Sequence, residues 1–295
     1  MFRNLRRKSE PEQVTIDPTR LSSDWLARDA SAPISLKQIN DLSDNAKKRI
    51  YRNLIPPALL TRFSIDPITW QGADGELRVG YKAEPGTGKL DLWACQTGQQ
   101  DSEFFRMEVE DNAFNGIDAH LLLLNDPEAE RFLTDLDDQG RETMFGTLRR
   151  NLGEEQRAMQ SGLAPGQIRR GLGASRVIFE HLDTFCATLG QQAYFLEPLT
   201  YASAWVFERR GFAYVRGHKL MDDIHQEFQP GGRLHRALDS SSPFRQPDQW
   251  NSVRGRAWAI HDGILEVIDA RWDNLRMVKQ VGKHAGVQTF PDENY

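Results

Sequence analysis

Three short segments of alternating apolar and polar residues and a fourth, apolar run lie between residues 76 and 125, and they constrain the fold more than any other feature of the chain. Clusters rich in Gly, Asn and Asp separate them, including Pro85-Gly86-Thr87-Gly88 and Gly98-Gln99-Gln100-Asp101. Alternation with a period of two places one face of a strand in a core, and closely spaced turn residues favour antiparallel connections. The segments therefore predict an antiparallel meander with strands at 77–82, 89–95, 104–110 and 117–124.

Helical periodicity replaces this alternation on both sides of the meander. We expect helices from Ser22 or Ser23, from Ser35 to Leu54, from Asp126 with Pro127 at its first position, and from about Glu142. Apolar residues in the last part of the chain, from Trp250 to Val278, predict further helix. The predicted organisation is a flexible lead at 1–20, a helical segment at 21–60, an α/β domain at 61–230 with a helical insertion at 126–166, and a C-terminal helical extension at 231–295.

The composition excludes several classes of protein. The chain has 295 residues, and 37 Lys and Arg against 42 Asp and Glu give a formal net charge of −5. This charge provides no overall attraction for phosphate backbones, so we expect no nucleic-acid partner. The leucine run from Leu121 to Leu124 is far shorter than the ~20 apolar residues that cross a bilayer, so we expect no membrane association.

The cysteines and the N-terminal residues predict a cytoplasmic location. Cys95 and Cys186 are the two cysteines, and so small a number is typical of a reducing compartment. The basic start, Met1 to Lys8, is not followed by the apolar stretch of a secretory signal.

Residues 167–212 contain the most informative pattern in the chain. A loop with two glycines, Gln167 to Ala174, opens a helix whose apolar positions are Ile178, Leu182, Phe185 and Leu189. Gly190 ends this helix, and a buried strand is expected at 193–199. Thr200 then caps a short helix at 201–210, and a last strand is expected at 213–216.

The glycine loop has the chemistry of a phosphate site. A helix N-terminus offers unpaired N–H groups and a partial positive charge, and glycines let a ligand approach the backbone closely. Arg169 and Arg170 can add charge-assisted hydrogen bonds. The alternative is that Gly171 and Gly173 only permit a tight turn, with both arginines solvated.

The order of glycine loop, long helix, buried strand, short helix and strand resembles the GCN5-related N-acetyltransferase superfamily. The segment Phe207-Glu208-Arg209-Arg210-Gly211-Phe212 matches the pattern that ends the short helix in that family. The resemblance implies an α/β (α+β) fold with a mixed, mostly antiparallel sheet flanked by helices, and acetyl-CoA or another acyl-CoA as co-substrate. The pantetheine arm would lie in a gap between the strand at 193–199 and its neighbour. The residues implied for cofactor binding are Ile168, Arg169, Arg170, Gly171, Leu172, Gly173 and Ala174.

Several positions depart from the family pattern. Ile168 stands where the family usually has Arg or Gln, Phe207 where it usually has a Tyr that protonates the leaving thiolate, and Thr200 where it commonly has Asn. Residues 126–166 also separate the glycine loop from the strand that it normally follows. Either they form a large insertion over the acceptor site, or the strand assignment is wrong.

Amine acylation by a thioester requires a base for the amine and benefits from an acid for the thiolate. Because Phe207 has no proton to donate, Tyr201 is the nearest hydroxyl candidate for the acid. Glu110 and His120 are the candidates for the base, since both lie on strands expected to face the cleft. The alternatives are a packing role for Tyr201 and a solvated or structural role for Glu110 and His120. We expect no metal site, because the histidines between 218 and 235 lack ligand spacing and fit a polar strand and loop.

The predicted function is transfer of an acyl group from CoA to an amine of a small molecule or peptide. One alternative is a non-catalytic acyl-CoA or phospholigand-binding module, which Phe207 favours. Another is a helical scaffold, if the segments at 126–166 and 231–295 bury a partner surface. The C-terminal extension could cover the acceptor cleft, pack on the N-terminal helices or form a homodimer surface.

Overall fold

The computed structural model describes residues 34–114, 116–143 and 149–291 and contains a seven-stranded sheet. The four strands of the predicted meander are confirmed, and they form one half of this sheet. The strands are β1 Val79–Lys82, β2 Lys89–Cys95, β3 Glu103–Asp111, β4 Ile117–Leu124, β5 Ala193–Leu196, β6 Ala213–Arg216 and β7 Arg276–Gln280. Their order is β1-β2-β3-β4-β5-β7-β6. The pair β4 and β5 is parallel and the other neighbours are antiparallel, so the fold is mixed α/β with a mostly antiparallel open sheet.

Helices precede the meander and connect the later strands. They are α1 Leu36–Asn40, α2 Asp44–Tyr51, α3 Pro57–Arg62, α4 Leu152–Gln160, α5 Ser175–Thr188, α6 Tyr201–Arg209, α7 His218–Phe228, α8 Arg233–Arg236 and α9 Val253–His261. The helix predicted over 35–54 is interrupted between α1 and α2, where Asp41 ends the first of them. The predictions of a flexible lead at 1–20 and of a helix from Ser22 or Ser23 lie outside the described residues.

The order predicted for residues 167–216 is confirmed as loop, α5, β5, α6 and β6. The predicted apolar face of α5 is buried, and Gly190 follows its end with a φ of 71°. Thr200 caps α6, because its hydroxyl accepts from the N–H of Ser203 at 3.1 Å while the Ser203 hydroxyl accepts from the N–H of Thr200 at 3.0 Å. Local periodicity and capping therefore determine these elements.

The helix predicted from Asp126 does not form. Arg169 donates to the carbonyl groups of Pro127 and Ala129, and the N–H of Asp126 donates to the carbonyl of Arg170 at 2.8 Å. These bonds use backbone groups near the start of the predicted helix, so the chain makes turns instead. The prediction of a helix from Glu142 is also wrong at its start, since Glu142 forms a β-bridge with Leu136. The remainder of that predicted helix, at 144–148, lies outside the described residues.

The C-terminal extension is not only helical. Met277 and Val278, predicted as helix, lie in β7, which pairs with β5 on one side and with β6 on the other. Residues 276–280 therefore belong to the central sheet of the α/β domain. The predicted strand and loop at 218–235 is also wrong, because α7 forms there and buries Met221, Ile224 and Phe228 at helical spacing.

A second, smaller core joins the insertion to the C-terminal extension. Phe132, Ala158 and Leu163 from the insertion pack with Phe244 and Trp258, and the indole N–H of Trp258 donates to the carbonyl of Leu163 at 2.8 Å. The insertion and the C-terminal extension thus bury part of their apolar surface against each other, and this part is not available to a partner protein.

Candidate functional site

Strands β4 and β5 diverge after only three residue pairs. The parallel pairs are Ile117 with Tyr194, Asp118 with Phe195 and Ala119 with Leu196. Beyond them β4 continues to Leu124, whereas β5 ends. Pro198 follows two residues later and has no N–H to extend a ladder. The result is a gap bounded on one side by the second half of β4.

A β-bulge in β4 lies where this gap begins. Glu108 of β3 pairs with Leu121 and Val109 pairs with Ala119, so His120 is the extra residue of β4. A bulge bends its strand and changes the direction of the extra side chain. The bulge therefore places His120 at the narrow end of the gap.

The main chain of β4 points into the gap beyond the bulge. The N–H of Asn125 donates to the carbonyl of Phe104 at 3.1 Å, and alternation along an antiparallel ladder then directs the backbone groups of Leu122 and Leu124 away from β3. The carbonyl of Leu124 accepts from the N–H of Leu172 at 3.2 Å. The N–H groups of Leu122 and Leu124 and the carbonyl of Leu122 are left facing a region where β5 pairs with none of them.

The glycine loop lies at the wide end of the gap. Gly171 forms a β-bridge with Asn125, so the loop returns to the end of β4 despite the intervening insertion. A Cβ atom at Gly171 would lie 3.4 Å from the carbonyl oxygen of Leu124, and Gly173 has a φ of 69° that favours glycine. The return of the loop to β4 supports the interpretation of residues 126–166 as an insertion and argues against a wrong assignment of the preceding strand.

The N-terminus of α5 faces the same end of the gap without a capping side chain. Within the described part of the chain, no acceptor is paired with the N–H groups of residues 173–177, and the first backbone bond runs from Ile178 to Ala174. Arg210 donates to the hydroxyl of Ser175 at 3.1 Å. Partial burial lowers the pKa of Arg210, and the nearby guanidinium groups of Arg176 and Arg209 lower it further, whereas Glu180 opposes the shift.

The loop residues divide into two groups. Ile168 and Arg169 hold the insertion, since the carbonyl of Ile168 accepts from the N–H of Phe132 at 2.8 Å and the Arg169 side chain binds insertion carbonyls. The other predicted cofactor-binding residues lie on the segment that joins β4 to α5, and Arg170 is exposed there. They are Arg170, Gly171, Leu172, Gly173 and Ala174.

A cavity of about 280 Å³ opens at the narrow end of the gap. Two carboxylates, one guanidinium, one imidazole and three apolar side chains line it: Asp118, Ala119, His120, Leu196, Glu197, Leu199 and Arg276. Arg276 donates to both oxygens of Asp118, at 2.8 and 3.0 Å, and lies over the ring of Phe195. The sequence analysis did not identify Arg276 as a site residue, and Arg-Met-Val-Lys-Gln at 276–280 has no alternation of apolar and polar residues that could have indicated its strand.

The structure brings together the two predicted base candidates. Nε2 of His120 lies 3.3 Å from Oε2 of Glu110, and Nζ of Lys89 lies 3.4 Å from Oε1 of the same glutamate. When Nε2 carries the proton that the carboxylate accepts, Nδ1 of His120 is the unprotonated nitrogen. The imidazole can then accept a proton from a group in the cavity.

Tyr201 does not join this pair. Its side chain is buried and its hydroxyl lies 3.4 Å from Nη1 of Arg256, and burial raises its pKa although Arg256 opposes that shift. Phe207 packs in an aromatic cluster with Phe179 and Phe212 at centroid distances of 5.8 and 5.6 Å. These surroundings favour packing roles for both rings.

Comparison with known proteins finds no matching family, no matching curated protein and no matching solved structure. Across residues 34–114, 116–143 and 149–291, no helix combines the length and the apolar character that a membrane crossing requires. The same residues contain no group of three or more His, Cys, Asp or Glu that could hold a metal ion.

Proposed function

We propose that this protein is an acyl-CoA-dependent N-acyltransferase with a fold of the GCN5-related N-acetyltransferase type. The observation that carries the proposal is the divergence of β4 from β5 toward a helix N-terminus with unpaired N–H groups. A strand edge can hydrogen-bond an extended amide-bearing arm, and a helix N-terminus can bind a pyrophosphate. Acyl-CoA carries both an amide-bearing pantetheine arm next to the acyl group and a pyrophosphate farther from it.

The proposed binding mode places the pyrophosphate at residues 171–177. The pantetheine arm then runs along β4 toward the bulge, with its amides on the backbone groups of Leu122 and Leu124. The segment from His120 to Leu124 spans four residue steps, or about 13 Å at ~3.3 Å per residue, which suits an extended arm rather than a compact ligand. The thioester lies beside the cavity that contains His120.

The proposed chemistry is direct attack of an amine on the thioester. The amine nitrogen bonds to the carbonyl carbon, the carbon–sulfur bond breaks, and Nδ1 of His120 accepts the amine proton. Glu110 stabilises the imidazolium through Nε2. The imidazolium then returns the proton to the thiolate, so the step does not require a phenol at position 207.

Substitution of Gly173 tests the pyrophosphate site. Asp and Asn have nearly the same shape and both tolerate the positive φ of this residue, so the two variants differ mainly in charge. We expect acetyl-CoA to raise the melting temperature of the wild type and of Gly173→Asn, and to have little effect on Gly173→Asp, because the added carboxylate repels the phosphates. Thermal shift with acetyl-CoA, CoA and longer acyl-CoAs measures this.

Free pantetheine, which lacks the pyrophosphate, serves as the control ligand for these variants. Its effect on the melting temperature should be the same for Gly173→Asp and Gly173→Asn. If millimolar acetyl-CoA leaves the wild type unshifted, the proposed function is wrong. If acetyl-CoA raised the melting temperature of both variants equally, the phosphates would have to bind at another site.

A non-catalytic acyl-CoA-binding module is the second candidate. The packing of Phe207 and the burial of Tyr201 favour it, because neither ring offers a hydroxyl to the gap. A thermal shift with acetyl-CoA, combined with no acyl transfer to any amine, would identify the module. A cytoplasmic location is part of the proposal for either candidate, and Cys95 and Cys186 are free thiols in agreement with it.

A further inference from the structure

The cavity at the narrow end of the gap contains more negative than positive side chains. Asp118 and Glu197 line it, and Glu110 lies behind His120, where it also pairs with Lys89 at 3.4 Å. Arg276 is the cation of the lining, and it is engaged by both oxygens of Asp118. Such a cavity attracts positively charged ligands.

Glu197 retains the capacity to bind a ligand. Among the described residues its ion-pair partner is Arg276 at 3.5 Å, and its side chain is 62% exposed. A carboxylate accepts about four hydrogen bonds, so most of this capacity faces the cavity and the solvent. Glu197 follows Leu196, whose partner is Ala119, so the carboxylate lies across the gap from His120.

Three apolar residues line the same cavity as Glu197 and His120. Ala119 and Leu196 line the cavity, and Leu199 does so while remaining largely exposed. The volume of about 280 Å³ is close to the lower end for small-molecule sites, which favours a slender ligand. A methylene chain fits this lining.

We propose that the acceptor is a short aliphatic diamine. One amine lies at His120 and is acylated, the methylene chain contacts Leu196 and Leu199, and the second ammonium binds Glu197. The acylation rests on the proposed function, whereas binding of the diamine to the cavity does not. The two can therefore be tested separately.

The test compares 1,4-diaminobutane with 1-aminobutane, which has the same chain and lacks the second charge. We expect the wild type to favour the diamine in kcat/KM by about 10- to 100-fold, as for a charge-assisted hydrogen bond. Glu197→Gln should abolish this preference. Glu84→Gln should retain it, because Glu84 has a similar exposure of 63% and pairs with Lys82, away from the cavity residues.

Calorimetric titration of 1,4-diaminobutane without acyl-CoA provides the independent measurement. Binding that weakens in Glu197→Gln, but not in Glu84→Gln, supports the site even if no acyl transfer occurs, and in that case only the proposed function fails. The inference would be overturned by equal kcat/KM values for the two amines or by a higher kcat/KM for a lysyl peptide than for the diamine. Absence of diamine binding in the titration would also overturn it. A retained shift with acetyl-CoA would then leave the proposed function standing.

Discussion

Replacement of Glu155 with Gln is expected to lower the free energy of unfolding by about 3 to 5 kcal/mol, the usual cost of removing one partner of a buried ion pair. Glu155 is 2% exposed. It accepts from Nε and Nη2 of Arg150, at 2.9 and 2.5 Å, and contacts Nε2 of His261 at 3.2 Å. Glutamine is neutral and has one acceptor oxygen, so Arg150 keeps only one of its two carboxylate partners, Asp262.

The contacts of Glu155 join distant parts of the chain. Arg150 also donates to Asp262 at 2.9 Å, and Asp262 accepts from Arg245 at 2.9 Å and from Ser242 at 2.8 Å. The network thus connects the insertion to the C-terminal extension beside the smaller core. We expect the variant to lose protection from hydrogen exchange first in α4 and α9.

The pH dependence of unfolding provides a second measurement on the same variant. Burial tends to raise the pKa of Glu155 and of Asp262, but hydrogen bonds from His261 and Arg150 to Glu155, and from Arg150 and Ser242 to Asp262, lower both below their ordinary values of 4.5 and 3.8. The unfolded chain therefore binds protons at a higher pH than the folded protein. The resulting stabilisation is complete above pH 4.5 and is lost as pH falls through the lowered values.

Denaturant unfolding between pH 7 and pH 3 measures this effect. The wild type should lose stability below about pH 4.5, and Glu155→Gln should show a shallower decline. Glu130→Gln is the control, because Glu130 pairs with Arg157 in solvent and the midpoint should barely change. Equal midpoints for Glu155→Gln and Glu130→Gln would refute a stabilising network.

Replacement of His120 with Gln is expected to reduce kcat for acyl transfer by about 10²- to 10⁴-fold, the usual contribution of a general base. The glutamine amide can still donate to Glu110 but cannot accept the amine proton. The proposed pyrophosphate site lies at the other end of the gap, so acetyl-CoA should shift the melting temperature of this variant as much as we expect it to shift that of the wild type. Steady-state kinetics with a saturating amine measures the loss.

His218 supplies the matched control for this variant. Its side chain is 56% exposed, against 53% for His120, and it lies near a carboxylate of α7 rather than in the cavity. His218→Gln should retain the wild-type kcat. A fully active His120→Gln variant would show that the base is another group, while leaving acyl-CoA binding intact.

Local patterns in the sequence predict much of the fold. The meander follows from alternation between turn residues, and α5 follows from four apolar residues on one helix face. Thr200 and Gly190 mark helix boundaries through capping and a positive φ. These signals act between near neighbours in the chain, so they remain readable without a structure.

Contacts between distant residues override local patterns elsewhere. Asp126 and Pro127 have the sequence of a helix start, but the Arg169 side chain donates a hydrogen bond to the carbonyl of Pro127 and no helix forms. The segment from Arg276 to Gln280 lacks the alternation of a strand, yet it pairs with β5 on one side and with β6 on the other. Which strands become neighbours depends on the whole sheet, because the hydrogen bonds between two strands join residues that are remote in sequence.

The candidate site divides in the same way. The sequence by itself determined the glycine loop, the helix that follows it and the residue types of Glu110 and His120. Only the tertiary structure decided that His120 lies beside Glu110, that Arg276 and Glu197 line a cavity with His120, and that Tyr201 is buried elsewhere. Sequence periodicity specifies which face of an element is buried, whereas a site depends on the register between strands, and register is set by packing across the whole sheet.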